Sequence, residues 1–223
     1  MSKPIIVAVD EVKSKSFKEI VDSLDNDLCM IKVGSVSFNA MGHEAINYVA
    51  SKGFKIFLDL KLHDIPNTVK KSIEGLISLP LSMLTIHTSG GLEMMRAAKQ
   101  ALQSSDIKLF GVTALTSLSD EDTNIIFKRS ASGQVKAMLD LAEAAGIDGV
   151  VCSPLELELV TQRKSLESIT PGIRILKSND DQTRVMTPKE AIKKGANHIV
   201  IGRPITNASN ISKALKEIHN SLE

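Results

Sequence analysis

The chain is poor in aromatic residues: among its 223 residues there is no tryptophan, one tyrosine and six phenylalanines. Proteins that bind single-stranded nucleic acid usually stack its bases on aromatic side chains, so this scarcity argues against such a platform. Neither charge dominates, because 27 basic residues face 26 acidic ones and no basic block stands out. We therefore expect neither a nucleic-acid partner nor binding to an anionic membrane surface.

Cysteine and long hydrophobic runs are scarce as well. Cys29 and Cys152 are the only cysteines, and both fall in apolar, strand-like segments. This indicates reduced thiols in the core, with a disulfide as the alternative. The longest apolar runs, such as Ile5–Val9, have the length of a strand and are too short to span a bilayer. A strand that starts as early as Pro4 leaves no room for a signal peptide, so we expect a cytoplasmic protein without a membrane segment.

Apolar strand candidates alternate with amphipathic helical stretches along the whole chain. This pattern predicts an α/β protein, residues 1–223 forming a single-domain (β/α)₈ TIM barrel. An open, doubly wound sheet is the alternative, but its first turn is usually Gly-rich, whereas Val9-Asp10-Glu11 has no glycine. The predicted strands are Pro4–Val9, Leu28–Val33, Phe54–Leu58, Met83–His87, Ile107–Thr113, Gly149–Cys152, Leu166–Thr170 and His198–Ile201. The predicted helices are Ser16–Leu24, Gly42–Lys52, Thr68–Leu79, Leu92–Leu102, Gly133–Ala145, Pro188–Lys194 and Asn210–Leu222.

The most informative segment is Asp59-Leu60-Lys61-Leu62-His63-Asp64, which follows the third predicted strand. In an extended strand, Asp59 and Lys61 project to the same side. The next residues open a helix, so Asp64 lies in a tight loop at the carboxyl end of the sheet, where α/β enzymes bind ligands. Nearby carboxylates keep an ammonium group protonated. The segment predicts a proton donor with anionic neighbours; a surface salt-bridge cluster is the alternative, although such pairs contribute little to stability.

The tips of the other strands add charged and small residues to the same mouth. Asp10 and Lys32 follow the first two strands, and Gly202-Arg203 follows the last. Barrel enzymes commonly bind phosphate after the last strands, through accessible backbone N–H groups and a basic side chain. The polar segment 173–186 is long for a barrel loop, which is typical of a lid or binding loop. His63 and His87 also lie near the mouth, where each has either a chemical or a structural role.

Together these residues resemble the family of orotidine 5′-phosphate decarboxylases. Asp59 to Thr68 resembles the signature of that family, and the similarity covers nearly the whole chain. One departure is visible at Ser178–Asp181, where a glycine is expected before the acidic pair, so the path of that loop stays open. The other matching segments, in the expected order, are Ala8–Asp10, Ile31–Gly34, Thr113–Ser117, Thr170–Arg174, Asp180–Arg184 and Ile201–Ile205.

The resemblance implies a homodimeric barrel that converts orotidine 5′-monophosphate to uridine 5′-monophosphate and CO₂, without a metal or an organic cofactor. In that reading, Lys61 protonates C6 of the pyrimidine as CO₂ leaves, and Asp59 lies against the substrate carboxylate. Lys32 and Asp64 complete the charged chain. Asp64 comes from the other subunit, with Ile65 beside it.

The resemblance also assigns the contacts to the rest of the substrate. Asp10 and Thr68 contact the ribose, Thr68 from across the subunit interface, and Thr116 hydrogen-bonds the pyrimidine edge. Lys32 counts among the binding residues as well as the catalytic ones. The residues expected to surround the base and to hold the phosphate are Pro171, Arg174, Gln182, Gly202 and Arg203.

Three other functions compete with this one. A magnesium-dependent sugar-phosphate decarboxylase or aldolase would need a carboxylate at the second strand tip, where Lys32 instead repels a divalent cation. A Schiff-base aldolase needs a neutral Lys61, whereas Asp59 and Asp64 favour the charged form. A non-catalytic phosphate-binding barrel would keep Gly202 and Arg203 but would not need the acidic and basic cluster. Decarboxylation fits the cluster best, because a fixed ammonium stabilises electron density left on C6 more than it stabilises the substrate.

Overall fold

The structure, a computed structural model, describes residues 4–174 and 186–222. Its parallel strands pair in chain order, and the last also pairs with the first, which closes the sheet into a barrel. The fold is therefore the predicted (β/α)₈ TIM barrel. Its strands are β1 (Ile5–Ala8), β2 (Cys29–Gly34), β3 (Ile56–Leu62), β4 (Met83–His87), β5 (Lys108–Val112), β6 (Gly149–Val151), β7 (Glu167–Thr170) and β8 (His198–Ile201). They lie close to the predicted limits, except that β3 runs four residues further, to Leu62.

Within the described residues, the α-helices include every predicted one and four more, at Ser35–Met41, Asp120–Phe127, Leu157–Thr161 and Arg203–Thr206. The unpredicted helices are short, and Asp120–Phe127 exposes Ile125 and Ile126, so it lacks the apolar stripe that makes a helix readable. In chain order the helices are α1 (Ser14–Asp22), α2 (Ser35–Met41), α3 (His43–Ser51), α4 (Pro66–Glu74), α5 (Gly91–Ala101), α6 (Asp120–Phe127), α7 (Ala131–Ala145), α8 (Leu157–Thr161), α9 (Pro188–Lys193), α10 (Arg203–Thr206) and α11 (Ile211–Asn220).

Apolar side chains form two layers, one between the strands and the helices and a smaller one inside the barrel. Side chains along a strand alternate between these layers, so the residue two positions after an interior one also points inwards. The interior residues are Ile6, Ala8, Met30, Phe57, Met83, Phe110, Ile169 and Val200. Two positions after Met30, Phe57 and Met83 stand Lys32, Asp59 and Thr85. The alternation of three neighbouring strands thus delivers three polar side chains to the top of the barrel interior.

Both cysteines are free and buried, as predicted. Burial, with the nearby Glu156 carboxylate, raises the pKa of the Cys152 thiol to about 12, so it stays protonated. No helix in the described part of the chain is long and apolar enough to cross a membrane.

Candidate active site

Strand β3 is irregular where it carries its charged residues. Leu58 pairs with Leu84 of β4, but the next pair is Leu62 with Ile86, so two more residues lie on β3 than on β4 between these pairs. Lys61, inside this bulge, has a φ angle of 51°, a left-handed conformation that residues with a Cβ rarely adopt. The strand is therefore not extended at Lys61, contrary to the prediction. Bulges of this kind re-aim side chains beside active sites, and this one still brings Lys61 onto Asp59.

Four charged side chains form an alternating row across β1, β2 and β3. Lys61 Nζ lies 2.7 Å from Asp59 Oδ2. Lys32 Nζ lies 3.7 Å from the same oxygen and 3.1 Å from Asp10 Oδ1. We call Asp10, Lys32, Asp59 and Lys61 the charged row. The structure therefore brings together four of the predicted site residues, in the order acid, base, acid, base.

The centre of the charged row is Asp59, which is buried. Burial alone would raise its pKa, but the charges of Lys32 and Lys61 and hydrogen bonds from Lys61 and Thr85 hold the pKa below its usual value. Asp59 is thus an ionised carboxylate in a place from which water is largely excluded. Such a group exerts a strong electric field on whatever binds beside it.

Two hydroxyl groups that the sequence analysis missed hold the charged row. Thr85 donates to Asp59 Oδ1 at 2.9 Å and accepts from the backbone N–H of Lys61 at 2.8 Å. Ser37 Oγ lies 2.8 Å from the Val9 carbonyl oxygen and accepts from the Glu11 N–H at 2.8 Å, which fixes the backbone on both sides of Asp10. Strand alternation from Met83 would have pointed to Thr85. Ser37 lies on the unpredicted helix α2 and carried no such signal.

Glycine at the end of β2 leaves room for the charged row. A Cβ at Gly34 would lie 2.8 Å from Lys32 Nζ and 2.9 Å from Asp10 Oδ1, closer than real Cβ contacts come. The absence of a side chain at this position thus allows the ion pair between Lys32 and Asp10.

The charged row lines one side of a cavity of about 510 Å³ at the carboxyl ends of the strands. Beyond the Asp10 end of the row, β8 pairs with β1; Gly202 follows β8, and Arg203 begins α10. A Cβ at Gly202 would come no closer than 3.5 Å to any residue of the described ranges, so packing within them does not require glycine there. Further predicted site residues that line the cavity are Thr116, Pro171 and Arg174. Arg174 is buried, and its Nη1 donates to the Ile173 carbonyl at 3.1 Å.

Three predicted residues do not line this cavity. Asp64, Ile65 and Thr68 are exposed around the start of α4, and Ile65 is 66% exposed. Asp64 Oδ1 accepts from the Ile65 N–H at 2.6 Å, and no ion pair within 4 Å links Asp64 to another residue of the described ranges. Gln182 and the acidic pair Asp180-Asp181 lie outside the described residues.

The two histidines near the mouth stack on each other, with ring centroids 5.3 Å apart. Burial, with the neighbouring His63 and Lys61, lowers the pKa of His87 to about 4, so its ring is neutral near pH 7. His87 Nδ1 lies 2.6 Å from Ser89 Oγ, which suits the structural role. Across residues 4–174 and 186–222, no group of three or more His, Cys, Asp or Glu side chains is arranged to hold a metal ion.

The chain is similar in sequence and in fold to known proteins. Residues 3–218 match the sequence model described as the orotidine 5′-phosphate decarboxylase / HUMPS family. The orotidine 5′-phosphate decarboxylase of Saccharophagus degradans is 43% identical over 222 residues, covering 96% of this chain and 92% of that protein. That of a Wolbachia pipientis strain from Culex pipiens is 44% identical over 222 residues, covering 98% of each. The crystal structure of the Lactobacillus acidophilus orotidine 5′-phosphate decarboxylase is 34% identical, covers 100% of both chains and superposes with a TM-score of 0.87.

Proposed function

The chain belongs to the orotidine 5′-phosphate decarboxylase / HUMPS family, and from this premise we propose that it decarboxylates orotidine 5′-monophosphate to uridine 5′-monophosphate and CO₂ in pyrimidine biosynthesis. The observation that carries the proposal is a cavity lined by the charged row and, past β1 at the tip of β8, by Gly202 and Arg203. The charged row suits a reaction that moves charge, and the Gly202–Arg203 end suits a phosphate.

Lys61 is the proton donor in this proposal. Breaking the bond between C6 and the carboxylate leaves an electron pair on C6, and Lys61 transfers a proton to that carbon as CO₂ departs. The amine then recovers a proton from solvent. Because Asp59 holds Nζ at 2.7 Å, the ammonium is fixed before the reaction and needs little reorganisation when charge develops. It therefore stabilises the transition state more than the substrate.

Asp59 acts on the group that leaves. Its carboxylate is buried and ionised, and it lies against the substrate carboxylate in the proposed complex. Two carboxylates repel each other, and this repulsion falls as neutral CO₂ forms, which again favours the transition state over the bound substrate. Lys32 keeps Asp59 ionised and connects it to Asp10.

The remaining contacts hold the nucleotide in place. Arg203 and the backbone of Gly202 bind the phosphate, together with Gln182, and Pro171 and Arg174 lie beside the base and the phosphate. Thr116 hydrogen-bonds the pyrimidine edge, and Asp10 contacts the ribose. Since Arg203 and Gly202 act far from C6, their contribution is binding energy that orders the substrate in the site.

We propose that the active unit is a homodimer whose subunits share their sites. Asp64, Ile65 and Thr68 are exposed on their own chain, and the Lys61 side chain is 37% exposed, so a partner subunit can approach it. In the dimer, Asp64 completes the charged row of the partner, Ile65 lies beside it, and Thr68 reaches the partner's ribose site. Residues 1–223 then form one catalytic domain, and the two free thiols suit the reducing cytoplasm.

The proposed reaction needs no metal or cofactor, which separates it from its rivals. A divalent cation on Asp59 would face the Lys32 ammonium, whose Nζ is 3.7 Å from Oδ2. The test is to add orotidine 5′-monophosphate to the purified protein with an excess of chelator and to follow the pyrimidine absorbance. Turnover with the chelator present supports the proposal. Turnover that depends on added Mg²⁺, or reductive trapping of Lys61 by borohydride with a sugar phosphate, contradicts it.

A further inference from the structure

We infer that Thr85 is a positioning residue for the reaction: its hydroxyl holds the β3 bulge so that Asp59 and Lys61 face the reacting carbon together. This inference rests on the proposed function. Thr85 does not line the cavity, so it acts through these two residues and does not touch the substrate.

Thr85 stands directly opposite the bulge in the sheet. The extra residues of β3 lie between the pairs Leu58 with Leu84 and Leu62 with Ile86, so Thr85 is the β4 residue that faces the bulge. Regular backbone pairing between β3 and β4 is interrupted across this stretch. The Lys61 N–H therefore donates to the Thr85 hydroxyl, at 2.8 Å, instead of to a backbone carbonyl of β4. The hydroxyl thus supports the residue whose φ angle of 51° is unusual for a side chain of this kind.

The same hydroxyl also orients the Asp59 carboxylate. Its single proton points to Asp59 Oδ1 at 2.9 Å, while Lys61 and Lys32 share Oδ2. This division fixes the rotation of the carboxylate, because each oxygen has its own donors. A hydroxyl with one donor and one acceptor partner therefore ties the side chain of one catalytic residue to the backbone of the other.

The hydroxyl is also held in a fixed place. Thr85 is fully buried, so its side chain is packed on all sides by the protein. Threonine is also stiff about its first side-chain torsion, so the hydroxyl has a defined direction. Removing it leaves a carboxylate oxygen and an amide without their partner, which costs most when the groups are charged or buried.

The test compares Thr85→Val, which keeps the shape and removes the hydroxyl, with Thr85→Ser, which restores the hydroxyl. Thr88→Val is the matched control, because Thr88 is equally buried just after the same strand and its hydroxyl donates to the Val112 carbonyl, at 2.7 Å, away from the charged row. For each protein, kcat and KM for orotidine 5′-monophosphate, Kd for uridine 5′-monophosphate and Tm are measured. The product lacks the carboxylate, so its Kd reports the binding site without the reacting group.

We expect Thr85→Val to lower kcat roughly 10- to 100-fold while the product Kd changes less than about threefold. The kcat of Thr85→Ser should stay within about fivefold of the wild type. The kcat of Thr88→Val should stay within about twofold, even if its Tm falls as far as that of Thr85→Val. A valine variant that keeps more than a third of wild-type kcat overturns the inference, as does a product Kd that weakens in step with kcat. If the valine variant does not fold, Thr85→Ala replaces it, and serine must exceed alanine at least about tenfold in kcat.

The proposed function and the role of Thr85 are refuted by different results. A wild-type protein that does not decarboxylate orotidine 5′-monophosphate refutes the proposed function. A wild-type protein that does so, loses activity on Lys61→Ala and is indifferent to Thr85→Val refutes only the role of Thr85.

Discussion

Both sides of the cavity are built from residues at strand tips. They differ in how firmly contacts within the chain hold the functional side chains in place. On the β1–β4 side, ion pairs and the Thr85 hydroxyl already fix the charged row. On the β8 side, Gly202 and the exposed Arg203 present a backbone and a cation. The two glycines show the contrast: a Cβ at Gly34 would strike the Lys32–Asp10 pair at 2.8 Å and 2.9 Å. Among the residues that the structure describes, a Cβ at Gly202 would meet nothing closer than 3.5 Å.

This difference matches the chemistry that we propose for each side. A reacting carbon gains most from charges that are in place before the reaction, because their reorganisation would otherwise add to the barrier. The energetic cost of burying Asp59 among cations is then met during folding rather than in the catalytic step. A phosphate brings its own charge and needs only accessible donors, so its side of the cavity requires fewer fixed contacts within the protein.

The largest expected effect is on the β1–β4 side, in the charged row. Lys61→Ala should lower kcat by about a thousandfold or more, because the ammonium acts on charge that develops in the transition state. Binding of uridine 5′-monophosphate should change little. Lys99→Ala is the matched control: its side chain is 35% exposed against 37% for Lys61, and its Nζ lies 2.6 Å from Asp148, away from the cavity. A Lys61→Ala enzyme that keeps a tenth of wild-type activity would rule out the proton-donor role.

The next prediction tests whether one chain supplies all the charged residues of a site or whether Asp64 comes from the partner subunit. Lys61→Ala and Asp64→Ala, each nearly inactive, are mixed in equal amounts and allowed to exchange subunits. Half the dimers are then mixed, and each mixed dimer has one intact site, so activity should approach roughly a quarter of wild type.

The matched control for this experiment is a mixture of Lys61→Ala with Asp59→Ala, two variants whose altered residues belong to the same chain of a site. Asp59 and Lys61 contact each other within one chain at 2.7 Å, so every site in this mixture lacks one of them and no activity should return. If the Asp64 mixture stays equally inactive although exchange is demonstrated, Asp64 acts within its own chain and the shared site is wrong.

A smaller effect is expected on the phosphate side. Arg203→Ala should weaken kcat/KM for the nucleotide by about 2–3 kcal/mol, because a charge-assisted contact to the phosphate is lost. The slow reaction of the bare nucleoside should stay almost unchanged, since it has no phosphate to hold. Equal losses for nucleoside and nucleotide would mean that Arg203 supports the fold.

The smallest effects, about tenfold, should come from the two glycines and should differ in kind. Gly34→Ala should lower kcat, because the new methyl group separates Lys32 from Asp10. Gly202→Ala should leave Tm unchanged and raise KM for the nucleotide alone, because the methyl group meets the phosphate and not the protein. Kinetics and thermal unfolding of both variants decide this. A Gly202→Ala protein with a markedly lower Tm would remove the contrast between the two sides.

The sequence by itself determined the barrel and the sides of the cavity to which the charged residues belong. Strand alternation has a fixed period, so Lys32 and Asp59 could be placed at strand tips without knowing any neighbour. The same reasoning located Gly202 and Arg203 after the last strand. Helices with a clear apolar stripe were equally readable, whereas α2 and α6 were missed because short or exposed helices depend on local capping and packing more than on periodicity.

Only the tertiary structure decided how these residues meet. The left-handed backbone of Lys61 exists because β3 has more residues than β4 across the bulge, a relation between two strands that neither strand encodes alone. The contacts of Thr85 with Asp59, and of Ser37 with the backbone around Asp10, join residues 26 or more positions apart. The close approach of the Lys32–Asp10 ion pair to the α-carbon of Gly34 is likewise a relation between packed strands. Local pattern fixes which way a side chain points, but distances between side chains arise only when the strands pack together.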